Sequence, residues 1–293
     1  MKKILRRLAM FFLVLGIALI ITGAFVRNRV RQVPSWYRHL HLNDAMQQQA
    51  ANSMTQKLAA TYSQANDAVA AATRAKFPLP EQATQPVDLP PASFTLELSE
   101  AEINSFFAEW DTTEHWRQKL AKYVVDPVVI LEDHELILAG MVPEWNVVLS
   151  LHFVPKIEKG KLDMGLKRVM AGTLTLPKST ADSYIGKIDA LISPKLPEHR
   201  RNAEINPKGW ANNDAVSAAM GELVLHVLHD EPAEPVFMLQ ELGHNRDARS
   251  VPVRITGVDI SEKTLKLDLR TMTPDERDAL LQHLRGTDVL ASN

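Results

Sequence analysis

The chain has 293 residues, enough for one large domain or two small ones with accessory segments. Hydrophobic residues make up 45% and charged residues 23%, which excludes a globally disordered chain. The net charge of −2 hides an asymmetry: seven basic residues and no acid fall within positions 1–31, leaving a body of −9. Affinity for nucleic-acid phosphates comes from Lys and Arg, so a body this acidic implies no nucleic-acid partner. With no cysteine there is no disulfide frame, thiol nucleophile, iron–sulfur ligand or lipobox.

The N-terminus carries the strongest signal. Leu8–Val26 reads LAMFFLVLGIALIITGAFV, 19 residues without a charge. As a helix it spans roughly 28 Å, enough to cross a hydrocarbon core with its backbone satisfied internally. The run is longer than a signal-peptide core, and Thr22-Gly23-Ala24 matches a cleavage site only loosely, so the reading is an uncleaved anchor. Lys2, Lys3, Arg6 and Arg7 stand before it, and Arg27, Arg29 and Arg31 after it. The balance leans to the N-terminus inside and the acidic body outside the cytoplasm, at the cell membrane. Trp36 and Tyr37 come soon after; they sit either at the headgroup level or packed on the body.

Residues 43–77 are rich in Ala and Gln, with Leu58, Tyr62, Ala65 and Val69 at helical spacing. The spacing predicts a helical stalk within 32–77 that lifts the body, and the thin stripe of 43–77 either packs lightly or pairs with a protein partner. Five prolines between Pro78 and Pro91 mark a non-helical linker. The body is therefore expected over 92–293.

A strand at Ser93–Leu98 precedes Ser99-Glu100-Ala101-Glu102, a capping box that opens a helix with Ile103, Phe106, Phe107 and Trp110 on one side. From Tyr123 the apolar period is two. Val124–Leu131 and Leu136–Met141 flank a polar turn, Val147–Phe153 alternates, and Leu162, Met164 and Leu166 resume after Glu158-Lys159-Gly160-Lys161. Gly140, Gly165 and Gly172 suggest bulges or sharp bends. Ser179–Ile192 predicts a helix, 198–213 a loop, and Asp214–Leu228 a helix whose end reads equally as strand. Val251–Asp259 and Thr264–Arg270 form a hairpin. Thr273-Pro274-Asp275-Glu276 opens a last helix that Gly286 ends. The expected class is α+β: an anchor and helical stalk, then a curved antiparallel sheet packed against helices.

No phosphate-binding loop, dinucleotide fingerprint, nucleophile elbow or zincin motif occurs, and no cofactor or enzymatic activity is implied. His226, His229 and Asp230 have ligand-capable spacing, but Pro232 and Pro235 interleave the next acids, Glu231 and Glu234. A capped helix end is therefore the better reading than a metal site. His39 and His41 read as juxtamembrane surface. Glu132, Asp133, His134 and Glu135 read as a solvated hairpin tip, and Glu241, His244, Arg246 and Asp247 as a polar loop. Lys167-Arg168 interrupts its strand, which suggests either a bulge turned outward or contact with lipid headgroups.

The segments LSEAEINSFF and VVLSLHFVPKIEKGKLDMGLKRVMAGTLTLP, placed after an anchor and a proline linker, resemble membrane-anchored domains of the tubular lipid-binding (TULIP-like) superfamily. The resemblance covers Ser99–Trp110, Val147–Pro155 and Leu162–Pro177; the stretch around Arg200–Asn213 departs from it. It implies a bent sheet around a long helix, an apolar groove and no catalytic set. The expected function is a non-enzymatic single-pass membrane protein that binds a lipid or other apolar ligand near the bilayer, with Phe106, Leu149, Leu151, Phe153, Leu162, Met164 and Leu166 as liners. The alternative is an anchored scaffold with a purely structural β body.

Overall fold

Alternation of apolar and polar residues sets the strands, and capping boxes set two of the helices. The computed structural model describes residues 28–38, 44–76, 89–109, 124–177, 213–240 and 250–284, with single positions and a short turn between 182 and 198. The class is α+β, with antiparallel sheets packed against helices. The anchor expected at Leu8–Val26, the 78–88 linker stretch, Trp110, most of Ser179–Ile192 and residues 199–212 of the expected loop lie outside the described residues. Among the described residues no helix is long and apolar enough to cross a membrane.

In chain order the elements are α1 (Asp44–Lys76), β1 (Ser93–Ser99), α2 (Glu100–Glu109), β2 (Val125–Glu132), β3 (Glu135–Val142), β4 (Val147–Phe153), β5 (Lys156–Glu158), β6 (Lys161–Asp163), β7 (Leu166–Ala171), β8 (Leu174–Thr175), α3 (Asn213–Leu228), β9 (Val236–Gln240), β10 (Ser250–Ser261), β11 (Thr264–Thr271) and α4 (Pro274–Leu284). One sheet has the order β1-β11-β10-β9 and the other β2-β3-β4-β7-β8. The expected meander is present, but β5 and β6 leave it as a separate hairpin that bridges to Ala233 through Leu162.

Both capping boxes form. The Ser99 N–H donates to Glu102 Oε2 at 2.7 Å and the Glu102 N–H to Ser99 Oγ at 3.2 Å. Thr273 and Glu276 repeat this at the start of α4, where Arg270 also grips the Glu276 carboxylate with two nitrogens, at 2.6 and 2.8 Å.

The main core is built by the four-stranded sheet, α1 and α2. It holds Leu96, Leu98, Ile103, Phe106, Leu267 and Leu269, together with Met54 and Ala65 of α1. Leu58, Tyr62 and Val69 also pack against that core, so of the two readings of this stripe the helix follows the one in which it packs on the body. The outward side of α1 is left to residues such as Gln48, Asn52, Gln56, Gln64 and Asp67.

The two sheets meet end to end. The Glu100 N–H donates to the Lys263 carbonyl, the Lys263 N–H to the Leu131 carbonyl and the His134 N–H to the Ile260 carbonyl. Helix α2 then runs beside β2 and seals its outer edge. The Asn104 amide both accepts from the Val129 N–H (2.8 Å) and donates to its carbonyl (2.6 Å), while Glu100 accepts from the Leu131 N–H (2.9 Å). A side-chain amide thus substitutes for the missing neighbouring strand.

Candidate functional site: the two faces of the five-stranded sheet

A β-strand sends alternate side chains to opposite faces, so register alone assigns each residue of this sheet. On one face three rows run across the strands: Leu136, Phe153 and Leu166; Leu138, Leu151 and Val169; Gly140, Leu149 and Ala171. Leu131 and Val129 extend the first two rows into β2. No charged residue interrupts these rows. Leu131, Leu136 and Val129 merge with the main core, whereas Leu138 is 37% exposed and Leu149 and Leu151 are half-buried. The face is therefore an apolar shelf, covered at one end and part-open farther along.

Four of the seven expected liners, Leu149, Leu151, Phe153 and Leu166, lie together on this shelf. The other three do not. Phe106 and Leu162 are buried in the main core and Met164 packs against it. Their alternation was real, but β5 and β6 carry Leu162 away from the sheet it was expected to extend.

The opposite face carries a buried polar array. Ser150 and His152 are 1% and 2% exposed and share that face of β4, with Glu135 at the start of β3. Ser150 Oγ lies 3.2 Å from His152 Nε2, and His152 Nδ1 lies 3.3 Å from Glu135 Oε2. Lys167 donates to Glu135 Oε1, and Arg168 donates to Glu135 Oε2 at 3.1 Å. A bulge brings both cations here. Leu166 opposes Phe153 and Arg168 opposes His152, so Lys167 is an extra residue between consecutive pairs. The extra residue restores face parity: Leu166 and Val169 both stay on the apolar shelf, while Lys167 and Arg168 both reach Glu135. The expected bulge is present, but its cations turn to a carboxylate, and Glu135 is no solvated tip residue. The sequence signal was the run Leu-Lys-Arg-Val, in which two polar residues stand where alternation allows one.

Burial, opposed by Glu135 and reinforced by Arg168, lowers the His152 pKa and keeps the imidazole neutral. Burial alone would raise the Glu135 carboxyl, but hydrogen bonds from Lys167 and His152 and the nearby Arg168 charge hold it below its usual range. With its proton on Nδ1, His152 donates to Glu135 and accepts from the Ser150 hydroxyl at Nε2; with its proton on Nε2, it donates to Ser150 and accepts at Nδ1 from Arg168, 3.2 Å away. The first order of groups is the one used to activate a hydroxyl nucleophile. Ser150 is 1% exposed, however, so its hydroxyl is shut from solvent in this conformation. The array thus acts here as an internal polar brace that fixes β3, β4 and β7 relative to one another.

Both groups bind protons more weakly folded than unfolded, so their contribution is complete above the unfolded pKa and declines as pH falls. Denaturant unfolding followed downward from about pH 7.5 is expected to show stability falling below about pH 6.5, the ordinary histidine value, as His152 is forced to charge. His152→Gln should flatten that part of the profile; an unchanged slope would remove His152 as its source.

His226 Nδ1 lies 3.3 Å from Glu231 Oε2, and His229 Nε2 lies 3.5 Å from Asp189 Oδ2, so the two histidines face different carboxylates. Among the described residues no group of three or more His, Asp or Glu is placed to hold a metal ion. His39, His41, Glu241, His244, Arg246 and Asp247 lie outside the described residues.

Compared with known family models, curated proteins and solved structures, the chain has no match.

Proposed function

We propose that this is a non-enzymatic, single-pass membrane protein whose body, outside the cytoplasm, holds a lipid or other apolar ligand beside the bilayer. The observation that carries the reading is the shelf: contiguous cross-strand rows of Leu, Val and Phe without a charge, part-open at Leu138, Leu149 and Leu151. Burying an acyl chain there is worth about 0.8 kcal/mol per methylene before ordering costs. The uncharged run Leu8–Val26 supplies the tether that keeps such a site at its lipid source. Among the described residues, the rival scaffold reading has the largely polar outward side of α1 to offer a partner.

The test is photocrosslinking of the full-length protein in native membranes with a diazirine fatty acid, mapped by mass spectrometry. Adducts are expected on Leu138, Leu149 or Leu151, and Leu138→Asp should abolish them while leaving the fold intact, because Leu138 is 37% exposed. Adducts confined to residues 8–26 would sink ligand binding by the body.

A further inference from the structure

One end of the five-stranded sheet is crossed by the residues that come after the anchor. Residues 28–31 are helical, 32–35 extend from them and Trp36–Arg38 form a single 3-10 turn. The Thr173 N–H and hydroxyl both donate to the Arg29 carbonyl, at 3.1 and 3.2 Å, in the turn between β7 and β8. At the other side of the sheet the Tyr37 hydroxyl donates to the Asp126 carbonyl of β2 at 2.8 Å. Tyr37 and Trp36, stacked edge to face, therefore belong to this crossing segment.

Register places every strand terminus on this side together. Val125 pairs with Met141, Met141 with Val148, and the Gly172 N–H donates to the Val148 carbonyl. The β3–β4 hairpin tip, Pro143-Glu144-Trp145-Asn146, lies at the same end, and its indole is 37% exposed. The opposite end, at Asp133 and His134, abuts the four-stranded sheet. Along β3 the two ends are about 23 Å apart, at 3.3 Å per residue.

We infer that this end of the sheet faces the bilayer surface directly, with Trp145 at the headgroup level and the open part of the leucine shelf turned toward the lipid. The inference rests on the reading of Leu8–Val26 as an anchor. Between Val26 and Arg29 the chain spans about 10 Å at most, and Arg29 is already bonded to the sheet. A membrane-spanning Leu8–Val26 therefore leaves no slack: the sheet end sits against the lipid rather than swinging on a linker. The chemistry fits a headgroup layer. Arg29 and Arg31 are exposed beside it, Trp145 is amphipathic, and Glu144 is the one acid at the hairpin tip. Running back from this end, the shelf passes Leu149, Leu138 and Leu151 before reaching the covered core at Leu136 and Leu131.

The chain has no cysteine, so one introduced thiol reports one position. Full-length Glu144→Cys and Asp133→Cys, each labelled with an environment-sensitive fluorophore, are reconstituted in vesicles of phosphatidylethanolamine and phosphatidylglycerol carrying headgroup-quencher lipids. Several-fold stronger quenching at 144 than at 133 is expected. Equal or absent quenching at both positions in protein that floats with the vesicles overturns the inference and leaves the anchor standing. Protein that fails to float overturns the anchor, and the inference with it.

Discussion

Gly172→Ala is expected to unfasten residues 28–38 from the body. Gly172 has φ +58°, and a Cβ built there falls 2.3 Å from the Val30 carbonyl oxygen, 2.6 Å from that of Arg29 and 2.8 Å from that of Gln32. All three are backbone atoms, so no side chain can swing aside. The left-handed conformation adds about 1 kcal/mol for any residue with a Cβ. The cheapest relief is for the crossing segment to lift away, which breaks the two Thr173 hydrogen bonds to Arg29 just as opening of the parent does. Overpacking of this kind costs about 1–3 kcal/mol in the docked state, and the upper figure raises the open population about 100-fold. Proteolysis that samples the open form reads this directly. In membranes, trypsin should release the body by cutting after Arg29, Arg31 or Arg38 up to about 100-fold faster in the variant than in the parent. The body itself should lose only about 1 kcal/mol in denaturant unfolding, the cost of the left-handed turn, because no core side chain is touched. Equal cleavage rates would show that the segment does not hold the body.

How much of this was legible beforehand depends on the kind of signal. Ser99–Glu102 and Thr273–Glu276 were readable because a capping box is a local chemical contract between residues three apart. The hairpins were readable because alternation and turns are local too. The role of α1 was hidden by its composition. It meets the sheet through Ala51, Met54, Thr61 and Ala65, and alanine also fills its outward positions, such as Ala59 and Ala60, so the buried stripe has little contrast. Strand β9 was missed because VFMLQ is short and comes straight after Pro235 within a polar stretch. The brace was missed for a different reason. Glu135, Ser150, His152 and Arg168 come from three strands, and only the Lys167 bulge, a one-residue change of register, points them to one place. Of the shelf, the strand alternation gave the members on β4 and Leu166 on β7. The departure of β5 and β6 could not be read from alternation, which continues unchanged through it.

Glu102→Ala is expected to cost roughly 3 kcal/mol, because Glu102 serves more than its own helix. Its carboxylate is buried where α1, β1 and α2 meet. It accepts from the Ser99 N–H at 2.7 Å, Ser53 Oγ at 2.5 Å and Lys57 Nζ at 2.9 Å. Burial would raise its pKa, but these donors outweigh burial and hold it at about 2. Removing the carboxylate orphans the Ser99 N–H and cuts the tie from α1 to the capped helix. Lys57→Met should cost less than about 1 kcal/mol, because the ammonium is 41% exposed and returns to water when unpaired. Glu102→Gln separates shape from charge. It keeps an acceptor for Ser99 and should recover part of the loss, but it cannot titrate. The folded pKa lies below the usual 4.5, so the parent draws stability from Glu102 above that value and loses it as pH falls toward 2. Urea unfolding of parent and Glu102→Gln between those limits should therefore converge as pH drops. Parallel profiles would mean that Glu102 acts through packing and not through its charge. A larger loss for Lys57→Met than for Glu102→Ala would place the weight of the joint on the lysine, and the buried carboxylate would no longer explain why the longest helix of the body stays fixed to its sheet.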